Sequence, residues 1–138
     1  MTSRHDRQIE AYEELKTILR GDDEPINFIL VEGTRDVESL RFIGVTTPIE
    51  IFSHIGQVEH DITDIIKPRT RSALILTDFD EKGASLAKRI TKLLYAEGVQ
   101  VQIELRNKIG RLMSILGLKT VESLDDWVMK NERCDYGP

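Results

Sequence analysis

Residues 73 to 83 read Ala-Leu-Ile-Leu-Thr-Asp-Phe-Asp-Glu-Lys-Gly. A run with the composition of a buried strand ends in two aspartates one residue apart, Asp78 and Asp80, and Gly83 follows where helical spacing begins. Two carboxylates held this close repel unless a cation or a shared proton relieves them. The stretch therefore marks a place for a divalent metal. Capping is the rival reading, because an aspartate ahead of a helix satisfies free amides and meets the favourable end of its dipole.

Outward from Gly83, the residues Leu86, Ala87, Ile90, Leu93 and Leu94 form the apolar stripe of a helix that Gly98 ends. Val99 to Leu105 reads as a further strand. Ile109, Leu112, Met113 and Leu116 mark another helix, and Ser123 opens a last one carrying Leu124, Trp127 and Val128. The polar tail from Asn131 to Pro138 reads as disordered. In the other direction, Val58, Ile62, Ile65 and Ile66 give a helix stopped by Pro68, preceded by the loop Ser53 to Gly56 and a strand from Ile49 to Phe52. Ile26 to Val31 is the first strand and ends in Glu32-Gly33. Thr34 or Asp36 caps the short helix that follows, with Val37, Leu40 and the stem of Arg41 on its face, running to about Phe42. Arg4 to Arg20 repeats Ile9, Tyr12, Leu15 and Leu19 at helical spacing.

Strands alternating with helices of this length predict an α/β fold: a mostly parallel four-stranded sheet with helices on both faces. The 138 residues fit one domain, with a core over 26–105, an N-terminal helix over 4–20 and C-terminal helices over 107–130. In such a sheet the segments that follow the strands share one edge, and ligands bind in the crevice outside it. Glu32 follows the first strand, and Asp78 and Asp80 follow the third. All three are expected at that edge, where Arg35, Lys82, Arg106 and Lys108 can line the same crevice. Lys67, Arg69 and Arg71 precede the third strand and belong at the opposite edge. Three oxygen donors from two strands suit magnesium (Mg2+), with phosphate oxygens held by the neighbouring cations.

The formal charge of -5 argues against coating nucleic acid by bulk attraction but leaves room for a local basic patch. The single cysteine, Cys134, offers no internal disulfide, which points to a cytoplasmic setting, and neither a signal core nor a membrane span is expected.

Val-Glu-Gly-Thr-Arg-Asp (31–36), followed after one βα unit by Thr-Asp-Phe-Asp-Glu-Lys-Gly (77–83), resembles the two motifs of the Toprim domain. That domain is shared by topoisomerases, bacterial primases and the ribonuclease M5 group, and the likeness is strongest to small stand-alone Toprim proteins and to the catalytic part of ribonuclease M5. The resemblance covers about Ile26 to Leu105 and implies a Rossmann-like Toprim fold. It implies that Glu32 is the catalytic acid or base and that Asp78 and Asp80 bind magnesium, with manganese as a substitute. Gly33 would allow the turn after the first strand, and Gly83 would let the helix start close to the metal. Asp36 matches a frequent acidic position for which capping and ligation are equally good readings. The implied activity is magnesium-dependent phosphodiester chemistry by a nuclease acting on RNA or structured nucleic acid. The alternative is a non-catalytic metal- and nucleic-acid-binding module that works with a protein partner. The chain lacks room for the tyrosine-bearing domain of topoisomerases, and Tyr12, Tyr95 and Tyr136 have no context favouring a nucleophile.

Three further features lie outside these motifs. His54 and His60 are spaced like a ligand pair but have no companions, so surface histidines are the simpler reading. Trp127 and Met113 fit core packing. Lys88 and Lys92 lie one turn apart with Arg89 alongside, either a stripe for a nucleic-acid backbone or a solvated helix face.

Overall fold

The computed structural model describes residues 3–55 and 60–135. In chain order its elements are α1 (Arg4–Leu19), β1 (Ile29–Val31), α2 (Thr34–Phe42), β2 (Ile49–Ile51), α3 (Phe52–Ile55), α4 (His60–Ile66), β3 (Ser72–Leu76), α5 (Glu81–Ala96), β4 (Gln100–Val101), α6 (Ile103–Ile115) and, after a 3-10 turn at Val121–Ser123, α7 (Leu124–Asp135). The four strands form one parallel sheet in the order β2, β1, β3, β4. This is the α/β architecture that the alternation of patterns predicts.

The strands alternate their side chains between two cores. Ile29, Val31, Leu74 and Leu76 meet α1, α2, α6 and α7 on one face, around Leu15, Leu40, Ile109 and Met113. Phe28, Leu30, Ala73 and Ile75 meet α4 and α5 on the other, around Ile62, Ile66, Ile90 and Leu94. Because both faces are covered, the central strands are apolar apart from Ser72 at the start of β3.

Several boundaries differ from the sequence reading. β1 begins at Ile29 instead of Ile26, and the Ser53–Ile55 part of the expected loop belongs to α3. The expected strand from Val99 to Leu105 is only Gln100–Val101, with α6 starting at Ile103. Helical periodicity wins there because Leu105 joins Ile109, Leu112 and Met113 on one buried stripe, which a strand would split between two faces. The C-terminal segment is helical as far as Asp135, past the expected end at 130. Val58, Tyr136 and the side chains of His54, His60 and Cys134 lie outside the described residues.

The shortness of β4 sets up the site. Its register pairs Ser72 with Gln100 and Ala73 with Val101, so it covers only the beginning of β3. Beyond Ala73, no strand among the described residues lies beside the outer edge of β3.

Candidate functional site

Glu32 leaves the end of β1, and Asp78 leaves the end of the neighbouring β3. Their register places Val31 beside Leu76, so the two acids emerge side by side. The Asp78 amide donates to Glu32 Oε2 at 2.7 Å, tying the two strand ends together. Asp80 is the N-cap of α5, its Oδ1 accepting from the Gly83 amide at 2.7 Å. The capping reading of Asp80 is therefore realised, while its exposed carboxylate lies near enough to Asp78 to raise that residue's pKa.

Gly83 makes this arrangement possible. A Cβ there would fall inside the van der Waals radius of the Asp78 carbonyl group, only 2.8 Å from the Asp78 Cα. The helix can therefore seat directly against the loop only with glycine at this position. The Thr77 hydroxyl fastens the contact by donating to the Gly83 carbonyl at 2.7 Å. Gly33 differs from expectation. Its backbone is extended at φ -146°, which any residue adopts, and a Cβ would meet nothing within 4 Å. Its contribution is an amide that donates to Asp36 Oδ2 at 2.9 Å.

That bond makes Asp36 the third residue of α2 reaching back to the helix cap. The residue is only 4% exposed, and its other oxygen, Oδ1, accepts no hydrogen bond. The Glu122 amide lies near enough to favour the charged form without completing a bond to Oδ1. Burial dominates and raises the Asp36 pKa above the usual aspartate value. Glu122, from the turn before α7, is an acid that the sequence pattern did not single out, because no local spacing links it to residues more than 40 positions upstream. Asp78 feels all of these groups. Burial first, then Glu32, Asp36, Asp80 and Glu122, push its pKa from 3.8 up to about 6.

Among the described residues no three His, Cys, Asp or Glu side chains are disposed to enclose a metal ion. The donor set nevertheless fits a hard divalent cation. It is made only of carboxylate oxygens, it leaves a buried Asp36 oxygen unpartnered, and its mutual repulsion adds to the burial that raises Asp78. Magnesium in particular uses one or two carboxylates and keeps several waters, so it does not require a closed protein cage.

The four predicted cations separate. Arg106, on α6, lies across the uncovered edge of β3. Its Nη1 donates to the carbonyls of Ile75 at 3.0 Å and Thr77 at 2.9 Å, and its Nη2 donates to that of Asp78 at 2.9 Å. The guanidinium thus replaces the strand that β4 is too short to provide, and it stacks on Phe79 with 4.5 Å to the ring centroid. Burial lowers its pKa while Glu32 and Asp78 act to raise it, so the cation is a fixed partner of the acidic edge. Arg35 is engaged by Glu38 at 2.8 Å and Asp125 at 3.3 Å. Lys82 is exposed in the first turn of α5. Lys108 is not brought to this edge: it pairs with Glu14 of α1 at 3.5 Å and borders a cavity of about 620 Å³ with Asp23 and Glu24. None of Glu32, Asp78 or Asp80 lines that cavity. The post-strand rule misplaces Lys108 because β4 ends level with the start of β3, far from its carboxyl end.

Arg106→Met is expected to lower stability by about 3 kcal/mol in urea unfolding, because three backbone carbonyls lose a charged donor. Lysine, with a point charge in place of a planar fork, should recover only part of the loss.

A family model described as Toprim-like matches residues 29–110. UPF0292 proteins match over most of their length: that of Methanocaldococcus jannaschii is 32% identical over 91% of this chain and 92% of its own. The Methanosarcina barkeri protein is 34% identical over 90% and 85% of the two chains, and the Pyrococcus furiosus protein 35% identical over 85% and 86%. A solved structure of a protein from Aquifex aeolicus superposes with a TM-score of 0.63 at 22% identity, covering 80% of this chain and 95% of that one. This last likeness concerns the fold.

Proposed function

Because this chain belongs to the Toprim-like family, we propose that its acidic edge binds a divalent metal, magnesium or manganese, and cuts phosphodiester bonds in RNA or structured DNA. One observation carries the reading: four carboxylates, Glu32, Asp36, Asp80 and Glu122, gather with Asp78 from three separate stretches of chain and add to its burial in raising its pKa to about 6. A fold gains nothing from such repulsion unless a cation or a shared proton relieves it.

Asp78 and Asp80 would hold the ion, with Glu32 beside them. A bound magnesium ion supplies positive charge to the scissile phosphate. The chain's own residues do the rest. The Asp78 amide fixes Glu32 Oε2, leaving Oε1 to take a proton from the attacking oxygen or return one to the leaving oxygen. Lys82, exposed in the first turn of α5, and Arg106, anchored along β3, add positive charge for the substrate phosphate. In the test, purified protein is incubated with structured RNA and with nicked or single-stranded DNA. Products should form with magnesium or manganese and not in chelator. The absence of cutting on every substrate would remove the nuclease reading.

A second reading, a module that binds metal and nucleic acid without turnover, draws on the bond that already occupies one Glu32 oxygen and on the lack of a preformed three-carboxylate cage among the described residues. It predicts metal binding and salt-dependent nucleic-acid binding with no product.

A further inference from the structure

Residues of α5 and α6 line a groove beside the outer edge of β3. One cavity, of about 460 Å³, lies beside Phe79, Asn107 and Arg111. A second, of about 430 Å³, lies beside Lys88, Lys92, Tyr95 and Ile103. The two share Ala84, Arg106 and Asn107, so they adjoin along one groove. Phe79, at one end of it, sits between Asp78 and Asp80. Arg106, which lines both cavities, donates to the Asp78 carbonyl at 2.9 Å, so the groove adjoins the acidic edge.

Its charge is opposite to that of the whole chain. With 24 acidic and 19 basic residues overall, a random lining would be acidic, yet no carboxylate lines either cavity while Lys88, Lys92, Arg106 and Arg111 do. Several cations elsewhere are paired: Lys16, Arg35, Lys67, Arg69 and Lys108 sit in ion pairs. Among the described residues Lys88, Lys92 and Arg111 do not. Between these cations the surface is apolar and aromatic. Tyr95 is 45% exposed and Ile103 41% exposed, and the Tyr95 hydroxyl is turned to the Val101 carbonyl at 3.4 Å, which leaves its ring on the surface. Cations spaced along a channel with a flat aromatic surface between them suit a strand whose phosphates and unstacked bases are both available. A duplex presents only the first.

We propose that the groove between α5 and α6 holds a single nucleic-acid strand, with phosphates on Lys88, Lys92 and Arg111 and a base against Tyr95, and leads it to the acidic edge. From Ala84 to Tyr95 the helix runs about 16 Å, enough for a few nucleotides. The proposal rests on the reading of that edge as a nucleic-acid site and assigns the path by which the strand reaches it.

The test is fluorescence anisotropy with labelled single strands of about 12 nucleotides, one RNA and one DNA, in chelator across a salt series. Lys88→Gln/Lys92→Gln should flatten the log–log salt slope by about 1.4, and Arg111→Gln by about 0.7. Tyr95→Leu should weaken binding about tenfold with the slope unchanged. Lys67→Gln, which breaks a pair with Glu97 at the far edge, should alter neither quantity. The tighter of the RNA and DNA arms identifies the sugar. The proposal is overturned if the groove variants keep the wild-type slope and affinity, if a duplex binds as tightly as a single strand, or if polyglutamate displaces the strand at equal charge. The magnesium-induced shift in thermal unfolding, measured on the same variants, separates the two claims. A shift with unaltered strand binding in the groove variants sinks the groove and spares the metal site; altered strand binding with no shift does the reverse.

Discussion

Gly83→Ala should lower the thermal unfolding midpoint by about 10 °C, a loss of about 3 kcal/mol for a chain of this size. Alanine is ordinarily the better helix former by about 1 kcal/mol, so the expected sign is opposite to that of a typical helical glycine. The reason is the position of the added methyl group, which would occupy the space of the Asp78 carbonyl. A clash with a flexible side chain relaxes cheaply. Here the obstacle is backbone, pinned by the Asp78 amide on Glu32 and by Arg106 on the Asp78 carbonyl. Helix α5 or the Asp78 loop must move, and either movement strains the Thr77 and Asp80 contacts to Gly83. Calorimetry or circular dichroism reads the effect directly. An alanine variant as stable as wild type would show that helix and loop are not in contact.

Glu32→Gln should leave the fold intact and reduce cutting by a factor of about 10² to 10⁴, the usual contribution of a positioned acid or base. Glutamine keeps an oxygen that accepts from the Asp78 amide, so the bond between the strand ends survives. What it loses is the ability to exchange a proton. The informative outcome is therefore a split: unchanged unfolding midpoint, nearly unchanged strand binding and collapsed turnover. Wild-type turnover in this variant would take Glu32 out of the chemistry and favour the binding-module reading.

The central part of this site was legible in the sequence because it depends on a topological regularity. Apolar strands followed by helices make a parallel sheet, and whatever follows its strands shares an edge; Glu32, Asp78 and Asp80 needed nothing more. Long-range partners had no such signature. Glu122 reaches the cluster through the turn between α6 and α7, and Asp36 is locally indistinguishable from an ordinary capping acid until its burial is known. Arg106 was placed at the correct edge by an incorrect route. The segment from 103 to 105 alternates apolar and polar residues and reads as strand, whereas the stripe it shares with Ile109 and Met113 makes it helix. That change of element turns Arg106 from a loop cation into a brace along β3 and carries Lys108 round to α1. Gly33 and Gly83 look equivalent as glycines after strands, yet only Gly83 is required by contact.

Folding disfavours the Asp78 anion, and the proposed cation would relieve that cost. Its pKa is raised in the folded state, so between 3.8 and about 6 the native protein binds more protons than the unfolded chain. Metal-free stability should fall as pH rises through that window and level off above it. Solvent screening at this partly exposed group reduces the cost to about 1 kcal/mol. The most direct test is thermal unfolding at pH 7 during a magnesium titration, on wild type and Asp78→Asn. Without metal the variant should unfold at a higher temperature than wild type, because the repulsion is gone. With magnesium at a hundredfold excess over its Kd, wild type should gain about 2.7 kcal/mol while the variant stays where it began. A wild-type midpoint that magnesium does not move would contradict the metal site, and equal shifts in both proteins would place the ion somewhere other than Asp78.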